Sequence, residues 1–465
     1  MRAVIDRMLT GLAWLALRGF FRSLEVLGRD HVPRGRPLLV VANHFNALVD
    51  AVLVMHALGR LPRFVAKAAL WRPLLARPFL WLAGTVPVHR PEDEDADPRR
   101  NPATFASCQE QLVRGRTVAL FPEGRLSPVP RPQRVRTGAA RIALGARRSG
   151  AAGLVVLPVG LVYEDKVALR SRALVRIGPP LDLDAEVARA GAADASPDDP
   201  DAVRLLTAEI EWRLRAIAPA YRDEREGAVL GYAAEIALRE TDRLPPHEVS
   251  LSDREDLGRR LAEAPARARE QLVDAVGRYH LGLSLLGLSD GYLVADYRVR
   301  RAAVLLLVTG LRLALLAPFA LAGAAVNVLP YWAVHWAGRL VHNPALRASV
   351  RLLAGVVLFP AAWLFAAWLA PWDAWYARLA IVAVAPVLGL VAVRALEQVV
   401  AVHRAWRGWI ALIERRGELE PVRADRARLV ALVAETAAQA AEGGGAGTAG
   451  WGERDDVRSA DPPSS

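Results

Sequence analysis

The chain has 465 residues, 53% of them hydrophobic, and 60 Lys and Arg against 49 Asp and Glu give it a formal net charge of +11. That length holds two or three domains, and an apolar content slightly above the globular norm calls for burial beyond one soluble core. The positive balance favours anionic partners, a membrane surface or a phosphorylated substrate ahead of nucleic acid. The single cysteine, Cys108, excludes an intrachain disulfide and a cysteine metal cluster.

Residues 1–26 open with Val4, Ile5, Met8, Leu9, Leu12, Leu15 and Phe20 at helical spacing with arginines between them. The stretch is too short to span a bilayer and has no small-residue cleavage site. It reads as an interfacial amphipathic helix, with a helix packed on the following domain as the competing reading.

Leu38 to Val41 is a short apolar run expected to be a buried strand, and Asn43, His44 and Asn46 follow in a polar turn with Asp50 just beyond. An imidazole and a carboxylate are thereby delivered to the rim of a sheet, where α/β folds place their chemistry. A histidine oriented by a carboxylate is suited to general base work. A surface polar pair is the plainer alternative.

Phe64 to Ala66 is a second strand pattern and ends at Lys67, one of only two lysines in the chain. Gly84 to Arg90 is followed by the acidic run Glu92 to Asp97, expected to be a solvated loop. Asn101 to Arg114 is a helix in which Cys108 is a packing residue. Thr117 to Phe121 is another strand, and it enters Pro122-Glu123-Gly124-Arg125-Leu126-Ser127 directly. Here the glycine permits close backbone approach, the arginine can grip a phosphate and the glutamate can accept from hydroxyls; an ordinary turn with an exposed ion pair has the same composition. Val135 to Leu144 resumes helical periodicity, and Arg134, Arg136 and Arg141 line either a basic cleft or a solvated face. Strands at Leu154 to Val162 and Ala173 to Ile177 complete the interleaved pattern of an α/β domain.

Asn-His with a following Asp, then Phe-Pro-Glu-Gly with a Ser three residues after the glycine, resembles the glycerophospholipid acyltransferase family, the glycerol-3-phosphate and 1-acylglycerol-3-phosphate acyltransferases. Gly84 to Arg90 resembles the family segment whose terminal basic residue binds phosphate. Val155 to Gly160 resembles its late strand, and Ala66 to Leu70 a segment near the phosphate site. The resemblance covers roughly Leu27 to Pro180 and differs in two places. Five residues stand between His44 and Asp50 where the family usually has four, a spacing similar to a branch with large C-terminal membrane regions. Arg125 also falls one place earlier than the usual arginine.

The resemblance implies a mixed sheet flanked by helices over residues 27–183. It also implies His44 as base with Asp50 orienting it, Glu123 and Gly124 against the glycerol backbone, and Arg90, Arg125 and Lys67 at the phosphate. The implied reaction moves a fatty acyl group from acyl-CoA or acyl carrier protein to a glycerol hydroxyl, with no cofactor or metal. The alternatives are another lyso-lipid head group, or an inactive lipid-binding scaffold of the same fold.

Residues 184–203 read as a linker and 204–300 as charged helices with no catalytic constellation. Over 301–395, Leu352 to Ala370 and Leu379 to Val393 carry no charge and approach the length of a bilayer span. Between them lies an aromatic segment around Trp372 with Arg378 alone. Basic clusters precede Ala302 and Leu352 and follow Val393, so the positive-inside rule predicts a two-span hairpin behind a re-entrant segment broken near Pro318. The catalytic domain is then on the cytoplasmic face. Residues 396–442 are expected to be helical, and 443–465, rich in Gly, Ala, Ser and Pro, disordered.

Overall fold

The computed structural model describes residues 2–71, 77–88, 101–191, 194–241, 248–294, 299–371 and 374–443. The chain divides into two compact units, residues 1–219 with 297–406, and residues 220–296 with 407–465.

The first unit begins with α1 (Arg2–Phe20) and β1 (Ser23–Leu27). It continues through β2 (Leu38–Ala42), α2 (Ala47–Leu58), β3 (Arg63–Lys67), α3 (Arg77–Ala83), β4 (Val86–Val88), α4 (Asn101–Val113), β5 (Thr117–Leu120) and α5 (Gly138–Arg148). β6 (Val155–Tyr163), β7 (Arg172–Ile177), β8 (Leu181–Asp182), α6 (Leu183–Arg189) and α7 (Pro200–Ile217) follow. The strands form one mixed sheet in the order β1-β7-β6-β2-β5-β3-β4, with β8 paired to β6. Every pairing is parallel except those of β6 with β7 and with β8.

Both faces of this sheet are covered, which is why β2 and β5 are unbroken apolar runs rather than alternating ones. Along β2 the period of two sends Leu39 and Val41 into one core with α4, α5 and α7. Leu38 and Val40 enter the opposite core, where Leu17, Phe20 and Phe21 meet Val49 and Leu53 of α2 and Ala348 and Leu352 from far along the chain. Cys108 is buried in the first core as a packing residue, and burial pushes its thiol up to about 12.

Four expectations change. β1 reads poorly in sequence because Ser-Leu-Glu-Val-Leu is a half-buried edge strand with a charge in its middle, yet it pairs with β7 over its full length. The stretch expected as a linker contains α6. Asp182 caps α6, its side chain accepting from the Ala185 N–H. α7, expected among the charged helices, belongs to the first unit and buries Val203, Leu206, Ile210 and Leu214 against the sheet. The break near Pro318 is absent, because α12 (Val299–Arg339) runs through both Pro318 and Pro330. A proline removes one backbone hydrogen bond, whereas a break in apolar surroundings exposes several.

The second unit comprises α8 (Glu224–Leu238), α9 (Leu251–Glu263), α10 (Ala266–Leu286), α11 (Asp290–Leu293) and α15 (Leu419–Gly443), packed around Leu230, Leu272, Tyr279, Leu419 and Val433. Buried Asp290 accepts from the Tyr279 hydroxyl and from Arg426 Nε, each at 2.7 Å, and Arg239 Nε lies 2.8 Å from its other oxygen.

α12, α13 (Pro344–Leu369) and α14 (Trp375–Glu414) are each long and apolar enough to cross a membrane. At Gly323 on α12 an added Cβ would lie 2.1 Å from the Leu388 carbonyl of α14, so the two helices cross at a contact that only glycine allows. The expected basic cluster before Ala302 is only partly described, Trp372 lies outside the described residues, and so does nearly all of the 443–465 tail.

Candidate active site

The C-terminal ends of the parallel strands β2, β5, β3 and β4 share one edge of the sheet, because all four run the same way. His44 leaves β2 there, Glu123 leaves β5, and Lys67 ends β3. Arg90, two residues past β4, lies outside the described residues.

His44 Nδ1 is 2.8 Å from Asp50 Oδ2. A carboxylate only accepts, so Nδ1 carries the proton and Nε2 presents its lone pair. The ring stacks on Phe121 with centroids 3.9 Å apart and planes 9° from parallel, and its side chain is 12% exposed. Asp50 is fully buried in the first turn of α2. Besides His44, its Oδ2 accepts from the backbone N–H groups of Phe45 and Asn46, both at 2.7 Å, and its Oδ1 accepts from the Tyr163 hydroxyl. Burial first, then the Asp50 charge and this hydrogen bond, raises the Tyr163 phenol well above its ordinary value, so it remains a donor.

Among the five residues between His44 and Asp50, Ala47 has a φ of 39°, left-handed, a costly conformation for a residue with a Cβ. Ser349, in the first turns of α13, holds this turn from outside. Its Oγ accepts from the Leu48 N–H and donates to the Asn46 carbonyl, each at 3.0 Å. Asn46 Nδ2 donates to the Lys166 carbonyl at 2.6 Å. Asn43 pairs both ends of its amide with the backbone of Leu161 on β6, at 3.0 and 2.7 Å.

Glu123 is 2% exposed, and both of its oxygens face the chain itself. One accepts from the His44 N–H at 3.1 Å and the other from the Gln133 N–H at 3.0 Å. Burial raises this carboxyl to about 7, against the lowering effect of the two N–H donors. Glu123 thereby ties the turn after β2 to the loop after β5. Ser127 adds a second tie, its N–H donating to the His44 carbonyl at 2.6 Å.

Gly124 has φ +72°, and a Cβ there would lie 2.9 Å from Arg136 Nε. The glycine is required by the turn and by the guanidinium over it. Arg125 is exposed. Of the arginines downstream, Arg136 is thus brought against the Glu123–Gly124 turn, whereas Arg141 donates to the Pro197 carbonyl at 2.7 Å.

Sequence reasoning missed Tyr163 and Ser349. Tyr163 stands one residue past the apolar run of β6, which was its only signal. Ser349 lies some 300 residues from the turn it holds and had none.

Residues 23–162, which contain the whole His44, Asp50 and Glu123 constellation, match the model of the acyltransferase family. This segment is similar to an acyltransferase domain. Over 148 residues it is 26% identical to the chloroplastic 1-acyl-sn-glycerol-3-phosphate acyltransferase of Arabidopsis thaliana, covering 32% of this chain and 38% of that protein. The match spans well under half of that relative. The crystal structure of the 1-acyl-sn-glycerophosphate (LPA) acyltransferase from Thermotoga maritima aligns with 45% of this chain and 78% of its own, at 20% identity and a TM-score of 0.33. Ser349 and α7 lie outside the matched residues.

Proposed function

We propose that this chain is a membrane-bound O-acyltransferase that acylates a glycerol hydroxyl, with 1-acylglycerol-3-phosphate or glycerol-3-phosphate as acceptor. The observation that carries the reading is the 2.8 Å contact between His44 Nδ1 and buried Asp50, beside a fully engaged Glu123.

In the proposed reaction His44 Nε2 takes the proton of the acceptor hydroxyl as its oxygen attacks the thioester carbonyl of acyl-CoA or acyl carrier protein. Asp50 stabilises the imidazolium formed. Collapse of the tetrahedral intermediate breaks the carbon–sulfur bond, and the proton on Nε2 passes to the departing thiolate. Ester and free thiol are the products, and neither a metal nor an acyl-enzyme is called for. Arg136 and Arg125, with Lys67 on the same sheet edge, are the cations proposed to meet the acceptor phosphate, and Arg90 joins them in the reading from resemblance. Glu123 acts through the backbone of His44.

The membrane placement is part of the same proposal. It is supported by three helices of sufficient length and apolarity. It is supported also by Ser349 and Arg351, near the start of α13, bonding to the turn after His44 and to the Val167 carbonyl.

The test is acyl transfer by the purified full chain in detergent, with labelled acyl-CoA and acyl carrier protein offered separately to both acceptors. A general base of this kind is worth about 10² to 10⁴ in rate. His44→Ala is therefore expected to lose that much with its folding intact. Absence of product from every donor and acceptor pair, with folded wild-type protein, would sink the reading.

A further inference from the structure

A second basic site lies away from the catalytic turn. A cavity of about 200 Å³ is walled by Trp14 and Arg18 of α1, Arg22, His56 of α2, Arg170, and Leu390 and Arg394 of α14. His56 stands six residues beyond Asp50, about 9 Å along the helix axis at 1.5 Å per residue.

The charges around this cavity do not cancel. Arg170 is fully engaged: its Nε and Nη2 pair with both oxygens of Glu397 at 2.8 and 3.1 Å, and its Nη1 donates to the carbonyls of Arg18 and Phe21. Glu164 is 3.8 Å from Arg22 but is held more closely by Arg172, at 2.8 Å. Arg18 lies over the Trp14 ring at 4.6 Å, and among the described residues neither Arg18 nor Arg394 has a carboxylate partner. The imidazole of His56 is held below its ordinary value by burial first and then by Arg29 and Arg18, as expected beside uncompensated positive charge. The lining therefore carries a net positive charge suited to an anionic group.

The surroundings say which anion. Met8 and Leu12 of α1 and Leu396 and Val399 of α14 are exposed apolar side chains on the two helices that flank it, and α14 is long enough to cross a membrane. The cavity is also smaller than the roughly 300–1,000 Å³ of sites that enclose a whole small ligand, so it suits a head group and not a nucleotide. We propose that Arg18 and Arg394 hold the phosphate of an anionic membrane phospholipid, whose acyl chains lie along the exposed apolar surfaces of α1 and α14. The site requires the membrane placement given above but not the transfer reaction.

The experiment uses the full chain, delipidated in detergent and titrated with phosphatidylglycerol, while dioleoylglycerol and inorganic phosphate serve as parallel probes and native mass spectrometry reads occupancy. Phosphatidylglycerol is expected to bind and dioleoylglycerol is not, and phosphate at equal concentration is expected to displace nothing. Replacing two charge-assisted contacts, Arg18→Gln with Arg394→Gln, should weaken binding by about tenfold or more, with Lys at both positions restoring much of it. Arg394→Gln alone guards against a folding defect, since among the described residues that side chain has no carboxylate partner to lose. Unchanged affinity in the Gln variants would overturn the site, as would displacement by free phosphate. Failure of the wild type to float with phosphatidylcholine–phosphatidylglycerol vesicles would overturn the membrane placement and the site together. Flotation of the wild type together with unchanged phosphatidylglycerol occupancy in the Gln variants would overturn the site alone.

Discussion

Glu123 couples pH to stability in an unusual direction for a carboxylate. Its folded value, near 7, stands above the ordinary 4.5, so between those limits the native state keeps a proton that the unfolded chain has released. Stability contributed by this residue is therefore full below about pH 4.5, falls as the pH rises through 7 and is level above it. Melting of the wild type in detergent should show this decline between pH 5 and 8, and Glu123→Gln should flatten it. An equal decline in both proteins would assign it to another group. Gly124 makes a second prediction at this scale. Gly124→Ala combines a left-handed backbone with a Cβ 2.9 Å from Arg136, and a loss of about 1–2 kcal/mol is expected from the backbone alone. Denaturant unfolding of the two proteins would measure it.

At the scale of elements, the turn that joins His44 to Asp50 is a junction of three pieces of chain. β2 delivers His44, the first turn of α2 delivers Asp50, and α13 supplies Ser349 to fasten the residues between them. Ala47 stores strain in that turn, and strain of this kind persists only where the surroundings over-determine it. Ser349→Ala removes both bonds to the turn and is expected to lower kcat by about tenfold, as the loss of one to two hydrogen bonds implies, with KM little changed. Ser349→Thr keeps the hydroxyl and should recover most of the rate. Equal loss in Ala and Thr, or a fall in melting temperature that accounts for the loss, would remove Ser349 from the positioning of His44. The edge strand β1 and the capped helix α6 escaped notice in the sequence for a related reason: one is half exposed and the other starts in a stretch rich in Ala, Asp and Pro, so neither shows a clean apolar period.

At the scale of the molecule, α13 and α14 are joined to the loops at the rim of the sheet by specific contacts, Ser349 to Asn46, Arg351 to Val167 and Glu397 to Arg170, rather than by a tether alone. If the helices cross a membrane, the connection between α13 and α14 lies on the side opposite these contacts, since α13 leaves the catalytic turn near its start. A cysteine at Ala374 is then expected to react with an impermeant thiol reagent from the outer side only, after Cys108→Ser removes the native thiol. Labelling from the cytoplasmic side would reverse the placement.

The sequence by itself determined what depends on local pattern and residue chemistry. Buried strands are continuous apolar runs, turns that deliver His44 and Glu123 follow them without a gap, and uncharged stretches from Leu352 onward are marked by composition alone. The tertiary structure decided what depends on which distant residues meet. It aligned the ends of four parallel strands on one edge and turned the Glu123 carboxylate inward to the His44 backbone. It brought Tyr163 to Asp50, and it set Ser349, some 300 residues away, against the turn between His44 and Asp50. Hydrogen bonds of that kind join single polar atoms with no periodicity around them, so no sequence pattern announces them before the chain has folded.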